Sequence, residues 1–130
     1  MRVLVDTCVW SAVLRRREPD PALTAKMKDL IEADRVAMIG PIRQELLSGI
    51  PDSAQFRRLK SYLSAFEDLL LRTDHFEKAA EFSNTCRKAG VQGSSIDFLI
   101  CAAAAMENCV VFTTDRDFET YRRHLPIRVV

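Results

Sequence analysis

The sequence predicts an α/β fold, a three-layer sandwich around a mostly parallel central sheet of about four to five strands. Residues 2–7 and 109–113 are short apolar runs without polar alternation, which is typical of strands buried on both faces of a parallel sheet. Apolar residues recur at helical spacing between these runs. Because strands that alternate with helices form parallel neighbours, we expect helices to cover both faces of the sheet.

The first half of the chain carries clear start signals for its helices. Residues 7–17 are predicted as a helix whose apolar stripe, which includes Trp10, packs on the sheet as part of the core. Prolines flank the start of the next predicted helix, residues 20–34. Residues 35–39 then form a predicted strand, and Pro41 suits the first position of the helix that follows.

The second half continues the alternation of helices and strands. Helices are predicted over residues 54–65 and 74–89, and a glycine closes the second of them. Residues 96–108 are almost entirely apolar, so this helix is expected to be buried nearly all round. Residues 68–71 and 127–130 are short strand candidates that would complete the sheet.

Composition narrows the class of protein. With 130 residues, 48% of them hydrophobic, the chain is expected to form a single domain over residues 1–130. The formal charge of +1 does not indicate a strong polyanion binder, although residues 15–17 and 57–60 are locally basic. No apolar run reaches the roughly 20 residues that span a bilayer, and no signal peptide precedes the first strand, so a cytoplasmic location is expected.

The cysteines and histidines do not show the spacing of a zinc site or a disulfide framework. The four cysteines lack a C-x-x-C pair, and neither His75 nor His124 has a second ligand at metal spacing. We interpret the thiols as small core residues.

Two aspartates stand where the predicted core strands end. Asp6 follows the first apolar run and Asp115 follows the second. A carboxylate beside a buried strand costs solvation free energy unless cations or hydrogen-bond donors meet it. Each aspartate also precedes a predicted helix, so N-capping competes with function as the explanation of either residue alone.

Two further acids lie in helices that are expected to begin at the same edge of the sheet. Glu45 lies beside the apolar face of its helix instead of on the exposed side with Arg43 and Gln44, although a glutamate in an amphipathic helix is usually just solvated. Asp97 lies in the first turn of the most apolar helix. The helix dipole alone favours an acid there by roughly 0.3–1 kcal/mol, but a dipole acid needs no apolar surroundings.

The carboxyl ends of parallel strands meet at one edge of a sheet, where ligands bind in open α/β folds. The sequence therefore predicts that Asp6, Glu45, Asp97 and Asp115 converge there. Close carboxylates require raised pKa values or neutralising cations, and oxygen ligands with open positions suit Mg²⁺ or Mn²⁺. Two such ions about 3.5–4 Å apart would activate a water and stabilise the leaving oxygen of a phosphodiester.

Four motifs in this order resemble a PIN domain, and most closely the VapC toxins of bacterial and archaeal toxin–antitoxin pairs. They are V-D-T at residues 5–7, Glu45 after the second predicted strand, I-D-F-L-I-C-A-A-A at residues 96–104, and T-T-D-R-D-F at residues 113–118. The likeness covers the whole chain. It implies a PIN-like fold in which the catalytic, metal-binding acids are Asp6, Glu45, Asp97 and Asp115.

The resemblance also implies supporting residues and partners. Thr7 and Thr113 would support the metal ligands, Asp117 would be an accessory acid, and Cys8 departs from the small polar residue common at its position. The family implies Mg²⁺-dependent cleavage of single-stranded RNA, with Mn²⁺ as a substitute ion, by a homodimer. It also implies inhibition by a cognate VapB-like antitoxin, for which the Trp10 stripe and the helices over residues 20–34 and 54–65 are expected to form a groove.

Particular residues disfavour the rival functions. A receiver domain needs a lysine after a late strand, and none follows Val110; a haloacid-dehalogenase-type phosphatase needs a second acid where Cys8 stands. The main alternative is a PIN-like domain that binds RNA or protein without cutting. Since neither His75 nor His124 has an obvious partner for a cyclising reaction, we expect hydrolysis that leaves a 5′-phosphate and a 3′-hydroxyl.

Overall fold

A computed structural model describes residues 1–14 and 17–130 of the chain. Within this part, β1 (Val3–Val5), β2 (Val36–Ala37) and β3 (Val110–Phe112) form a parallel sheet in the order β2-β1-β3. β1 is the central strand, because its residues pair with β2 on one side and with β3 on the other. The predicted α/β class and the parallel sheet are thus confirmed.

The described helices follow the predicted order. They are α1 (Thr7–Leu14), α2 (Pro21–Glu32), α3 (Gly40–Leu47), α4 (Ser53–Leu63), α5 (Thr73–Lys88), α6 (Ser95–Met106) and α7 (Asp117–Tyr121). α5 packs along α6, and α1 packs against both α2 and α3. The predicted extension of the first helix through positions 15 and 16 lies outside the described residues. No helix in the described ranges is long and apolar enough to cross a membrane.

The predicted number of strands was wrong, since the described sheet has three strands instead of four to five. Residues 68–71 and 127–130 each make one isolated parallel bridge, between Met38 and Asp68 and between Val111 and Val129. β2 has only two residues because α3 begins at Gly40, directly after Ile39, and this leaves little edge to pair with. β3 has three residues, so the last segment likewise finds a short partner.

The buried core includes β1, α6 and part of the first helix. All three residues of β1 are buried, and Trp10 of α1 has no exposed surface, which confirms its predicted core position. Every residue of α6 from Phe98 to Ala104 is buried, as expected from the apolar sequence of this helix. The Ser94 side chain accepts a hydrogen bond from the Asp97 N–H, which fixes the start of α6 at the carboxyl edge of the sheet.

Candidate active site

A cleft of about 330 Å³ opens at the carboxyl edge of the sheet. Its lining combines four acids with the start of α1 and the start of α6, and consists of Asp6, Thr7, Cys8, Glu45, Ser94, Ile96, Asp97 and Asp115. The structure therefore places all four sequence-predicted acids along one cleft. They reach it from the end of β1, from α3, from the first turn of α6 and from the segment after β3.

Asp6 is the most buried acid of the cleft, with 8% of its surface exposed. Its Oδ1 accepts a hydrogen bond from the Thr7 N–H at 2.8 Å, and its Oδ2 accepts one from the Thr113 hydroxyl at 2.8 Å. The Asp6 N–H donates to the Phe112 carbonyl at 2.9 Å. An ordinary N-cap accepts from the second or third helical N–H, so capping explains this side chain incompletely. Asp6 joins the ends of β1 and β3.

Thr113 and Cys8 extend the hydrogen-bond network around Asp6. The Thr113 hydroxyl oxygen accepts from the Asp115 N–H at 3.0 Å while the hydroxyl donates to Asp6. The Cys8 Sγ lies 3.4 Å from the Thr113 Oγ1 and 3.6 Å from the Asp6 Oδ2, so the thiol occupies the position of the expected small polar residue and retains polar contacts. The Thr7 hydroxyl is buried without a hydrogen-bond partner among the described residues.

Asp97 is half-buried at the start of α6 and has a different kind of environment. Its Oδ2 accepts a hydrogen bond from the Tyr121 hydroxyl at 2.7 Å. Burial raises the pKa of the Asp97 carboxyl above its ordinary value, and the negative charges of Asp115 and Asp6 raise it further. The hydrogen bonds from Tyr121 and at Ser94 act in the opposite direction but do not cancel these effects.

Three acids approach one another most closely on the α6–α7 side of the cleft. One carboxylate oxygen from each of Asp97, Asp115 and Asp117 lies within 4.8 Å of the other two. The Asp115 Oδ1 accepts the Asp117 N–H at 2.9 Å, so the capping alternative correctly describes one oxygen of Asp115. Asp117, expected only as an accessory acid, belongs to this group, whereas Glu45 reaches the cleft from α3.

A family model described as PIN domain matches residues 3–123. The chain belongs to the PIN domain family. It is also 30% identical over 123 residues to Ribonuclease VapC11 from Mycobacterium tuberculosis, which covers 93% of this chain and 92% of that protein. The resemblance found in the motifs of the sequence is therefore confirmed over nearly the whole chain.

Solved structures show the same PIN fold at lower identity. FitAcB from Neisseria gonorrhoeae superposes with a TM-score of 0.81 at 22% identity, over 98% of this chain and 95% of that one. VapBC2 from Rickettsia felis, bound to a DNA fragment from its promoter, superposes with a TM-score of 0.80 at 17% identity, over 100% of this chain and 98% of that one.

The lining of this PIN-domain cleft has the chemistry of a site for a hard divalent cation. Its charged side chains are carboxylates, and two of them, Asp97 and Asp115, place oxygen atoms within 4.8 Å of each other and of the neighbouring Asp117. Carboxylate oxygens are the ligands that Mg²⁺ and Mn²⁺ prefer, and the charge of an ion would relieve the repulsion that raises the pKa of Asp97. The residues present therefore fit such an ion.

The expectation that Arg43 lies on the exposed side of its helix and Glu45 does not was wrong: Glu45 is exposed, although it lines the cleft, and Arg43 is half-buried. Its guanidinium group is half-buried and donates to the Asp68 carboxylate at 2.9 Å and to the backbone carbonyls of Leu63 and Phe66. Helical periodicity alone could not show this, because the acceptors belong to the end of α4 and the segment after it. Arg43 thus fixes α4 to α3, two positions from the cleft-lining Glu45.

Sequence reasoning missed Tyr121, which contacts Asp97 from α7. Its i,i+3 spacing from Phe118 indicates a shared buried face, and both residues are in fact buried. The hydrogen bond to an acid 24 residues earlier has no local signature in the sequence.

Proposed function

We propose that this PIN-domain protein is a Mg²⁺-dependent endoribonuclease that hydrolyses single-stranded RNA, with Mn²⁺ as a substitute ion, and acts as the toxin of a toxin–antitoxin pair. The observation that carries the proposal is the single cleft lined by Asp6, Glu45, Asp97 and Asp115. The 30% identity with Ribonuclease VapC11 over most of both chains supports the RNA substrate.

Some residues of the cleft would bind the ion, and others hold the ion's ligands in place. Asp6, Glu45, Asp97 and Asp115 would hold the ion, and Asp117 would add a carboxylate beside Asp97 and Asp115. A bound Mg²⁺ supplies Lewis-acid chemistry: it activates water as a nucleophile and stabilises negative charge on phosphate oxygens. Thr7 and Thr113 hold both oxygens of Asp6 by hydrogen bonds, so this ligand is oriented before RNA arrives.

The histidines do not provide a general acid and base for a cyclising mechanism. His75 is buried: its Nδ1 accepts from the Arg72 N–H at 3.0 Å, and its Nε2 lies 2.8 Å from the Glu107 Oε1. His75 therefore connects the start of α5 to the end of α6. His124 is exposed, and neither histidine lines the cleft. This arrangement favours hydrolysis that does not use the RNA 2′-hydroxyl.

The deciding experiment follows the ends of the products. Cleavage of a short single-stranded RNA should yield 5′-phosphate and 3′-hydroxyl ends, stop in EDTA and resume with excess Mg²⁺ or Mn²⁺. Replacing the 2′-hydroxyl at the cleaved nucleotide by hydrogen should leave the chemical step nearly intact. Cutting that persists in EDTA, or a 2′,3′-cyclic phosphate, would contradict the mechanism. RNA that is bound but never cut with either ion would favour the non-cutting alternative.

We also propose that a VapB-like antitoxin inhibits the protein by binding to a second, larger cleft. This cleft, of about 510 Å³, is lined by the end of α1, the α3–α4 connection and α4, namely Leu14, Gly49, Ile50, Pro51, Gln55, Arg58, Leu59 and Tyr62. The predicted groove was wrong in its use of Trp10, because that ring is fully buried and packs on Phe66. The helix over residues 20–34, also expected in the groove, does not line this cleft. Similar structures include a toxin–antitoxin complex from Klebsiella pneumoniae and VapBC-5 from Mycobacterium tuberculosis, a member of the VapBC family of toxin–antitoxin systems.

Co-expression tests the antitoxin proposal. The product of an adjacent small gene should co-purify with the protein and suppress RNA cleavage. Replacing the cleft residue Tyr62, which is 44% exposed, by aspartate should release the antitoxin and restore cleavage. Lys88→Asp, on the exposed end of α5, is the matched control and should leave the complex intact. Full cleavage in the parent mixture would refute the proposal.

The homodimer implied by the resemblance stays a prediction, which sedimentation equilibrium would test.

A further inference from the structure

Tyr121 is a buried residue whose hydroxyl reaches the cleft. Only 1% of its surface is exposed, yet its hydroxyl donates a 2.7 Å hydrogen bond to the Asp97 Oδ2. Ser94 also lies at this carboxyl group, but its hydroxyl accepts the Asp97 N–H and its effect on the pKa is smaller than that of Tyr121. Tyr121 is therefore the main side-chain donor to Asp97, whereas Asp6 has a strong donor on each oxygen.

Two aromatic contacts hold the Tyr121 ring in place. The ring centroid lies 5.2 Å from that of Phe98 on α6 and 5.1 Å from that of Phe118 on α7. These distances are typical of favourable edge or tilted aromatic pairs. Since both neighbours are themselves buried, the ring has little freedom to swing away from Asp97.

Gly93 provides the space that this hydrogen bond needs. A Cβ atom at position 93 would lie 2.4 Å from the Tyr121 hydroxyl oxygen and 2.9 Å from its Cζ. Both distances are shorter than a van der Waals contact, so any other residue at this position would have to displace the phenol. The glycine before the Ser94 cap therefore permits the hydrogen bond between α7 and α6.

We propose that Tyr121 is a positioning residue that holds Asp97 in the orientation in which it binds the divalent ion. The inference rests on the proposed function, because it takes Asp97 as a metal ligand. The hydrogen bond ties Oδ2 to α7, which restricts rotation of the carboxylate, and it favours the ionised form. It also connects α6 to α7, the helix that begins with Asp117, so the three close acids keep a fixed relation.

The test compares Tyr121→Phe with Tyr62→Phe, which removes the hydroxyl of the only other tyrosine in the chain. Isothermal calorimetry with Mn²⁺ alone, without RNA, measures the affinity of each folded protein for the ion. Losing a partner that orients a metal ligand typically costs about 10–100-fold in metal affinity. We expect a loss in this range for Tyr121→Phe and none for Tyr62→Phe. Gly93→Ala should also weaken Mn²⁺ binding, because its Cβ atom would displace the Tyr121 hydroxyl from Asp97.

The separate effects on kcat and KM give a second readout, which a purely structural role of Tyr121 would not change in this way. At subsaturating Mn²⁺, Tyr121→Phe should lower kcat for RNA cleavage while KM stays within about twofold of the parent value. Parent-like Mn²⁺ affinity in Tyr121→Phe would overturn the positioning role but would leave the proposed nuclease function intact. Absence of Mn²⁺ binding in the parent would overturn both. Activity loss without any change in Mn²⁺ affinity would also count against the role.

Discussion

Asp6 and Asp97 line the same cleft but are stabilised in opposite ways. Asp6 is buried at the junction of two strands, and two donors at 2.8 Å satisfy its two oxygens. Asp97 is half-buried, receives its main side-chain hydrogen bond from Tyr121, and lies near Asp115 and Asp117. Burial raises the pKa of Asp97, and the charges of Asp115 and Asp6 raise it further. The hydrogen bonds of Asp6 stabilise the folded state, whereas the ionised carboxylate of Asp97 destabilises it.

This contrast separates the two explanations that the sequence left open for each acid. A buried carboxylate with matched donors contributes to folding whether or not an ion binds. A carboxylate whose pKa is raised by burial and like charges destabilises the folded state until a cation or a proton neutralises it. Variants of Asp6 and Asp97 should therefore agree in their effect on activity and disagree in their effect on stability.

The largest expected effect is on catalysis, where the two acids should behave alike. Asp6→Ala and Asp97→Ala should each lower the rate of RNA cleavage by several orders of magnitude, because each removes a proposed ligand of the catalytic ion. Steady-state cleavage assays would measure the loss. His124→Ala, at an exposed position outside the cleft, is the control and should cost little. A nearly normal rate in either acid variant would exclude that residue from the mechanism.

The next effect is the stabilisation of the parent by metal. An ion that binds only the folded state at 100 times its dissociation constant adds about 2.7 kcal/mol to the free energy of unfolding. Thermal denaturation with Mg²⁺ or Mn²⁺ should show a raised Tm for the parent and a much smaller rise for Asp97→Asn. Asp29→Asn, at an exposed position of α2, should respond like the parent. Equal shifts in all three proteins would argue against a shared acidic site.

Without metal, the asparagine variants should shift stability in opposite directions. Asp6→Asn places an amide N–H₂ against one of the two donors, so it should lower the free energy of unfolding by about 1–3 kcal/mol. Asp97→Asn removes a charge near Asp115 and keeps an acceptor for Tyr121, so it should raise the Tm by about 2–5 °C. Chemical denaturation in EDTA gives both values. If both variants changed the stability in the same direction, the proposed difference between Asp6 and Asp97 would be wrong.

The smallest expected effect is the pH dependence of the rise in Tm that Asp97→Asn produces without metal. Because the folded-state pKa of Asp97 is raised, the folded state loses stability as the pH rises through the ordinary aspartate value, and the loss is complete above the raised pKa. As the pH falls from 7 toward about 4, the ordinary aspartate value, the folded parent takes up the proton and the cost disappears. The difference in Tm between Asp97→Asn and the parent should therefore shrink on acidification in EDTA. A difference that grows instead would assign the effect to another group.

The sequence predicts best those features that depend on position along an element. Apolar runs located β1, β3 and α6, and the rule that strand ends share an edge predicted where Asp6 and Asp115 would lie. The length of a hydrogen-bond ladder, by contrast, depends on the partner strand as well. Residues 68–71 and 127–130 are apolar enough for strands but meet partners of only two and three residues.

Features that depend on distant side chains were not predictable from local patterns. Arg43 was interpreted from helical periodicity, but its acceptors come from the end of α4 and the segment that follows it. Tyr121 meets both Asp97 and Gly93 only because α7 lies against the start of α6. The metal-binding roles of the four acids stay predictions until an ion is measured at the cleft.

The pairing of β1 with β3 has a consequence for how this protein is made. The Thr113 hydroxyl donates to a carboxylate 107 residues earlier in the chain. Since synthesis and folding proceed from the N-terminus, Asp6 emerges from the ribosome long before Thr113, Asp115 or Asp117 exists. A nascent chain that stops before residue 113 contains Asp6, Glu45 and Asp97 but lacks Thr113, Asp115 and Asp117. The acidic cleft is therefore completed only when the segment after β3 has been synthesised.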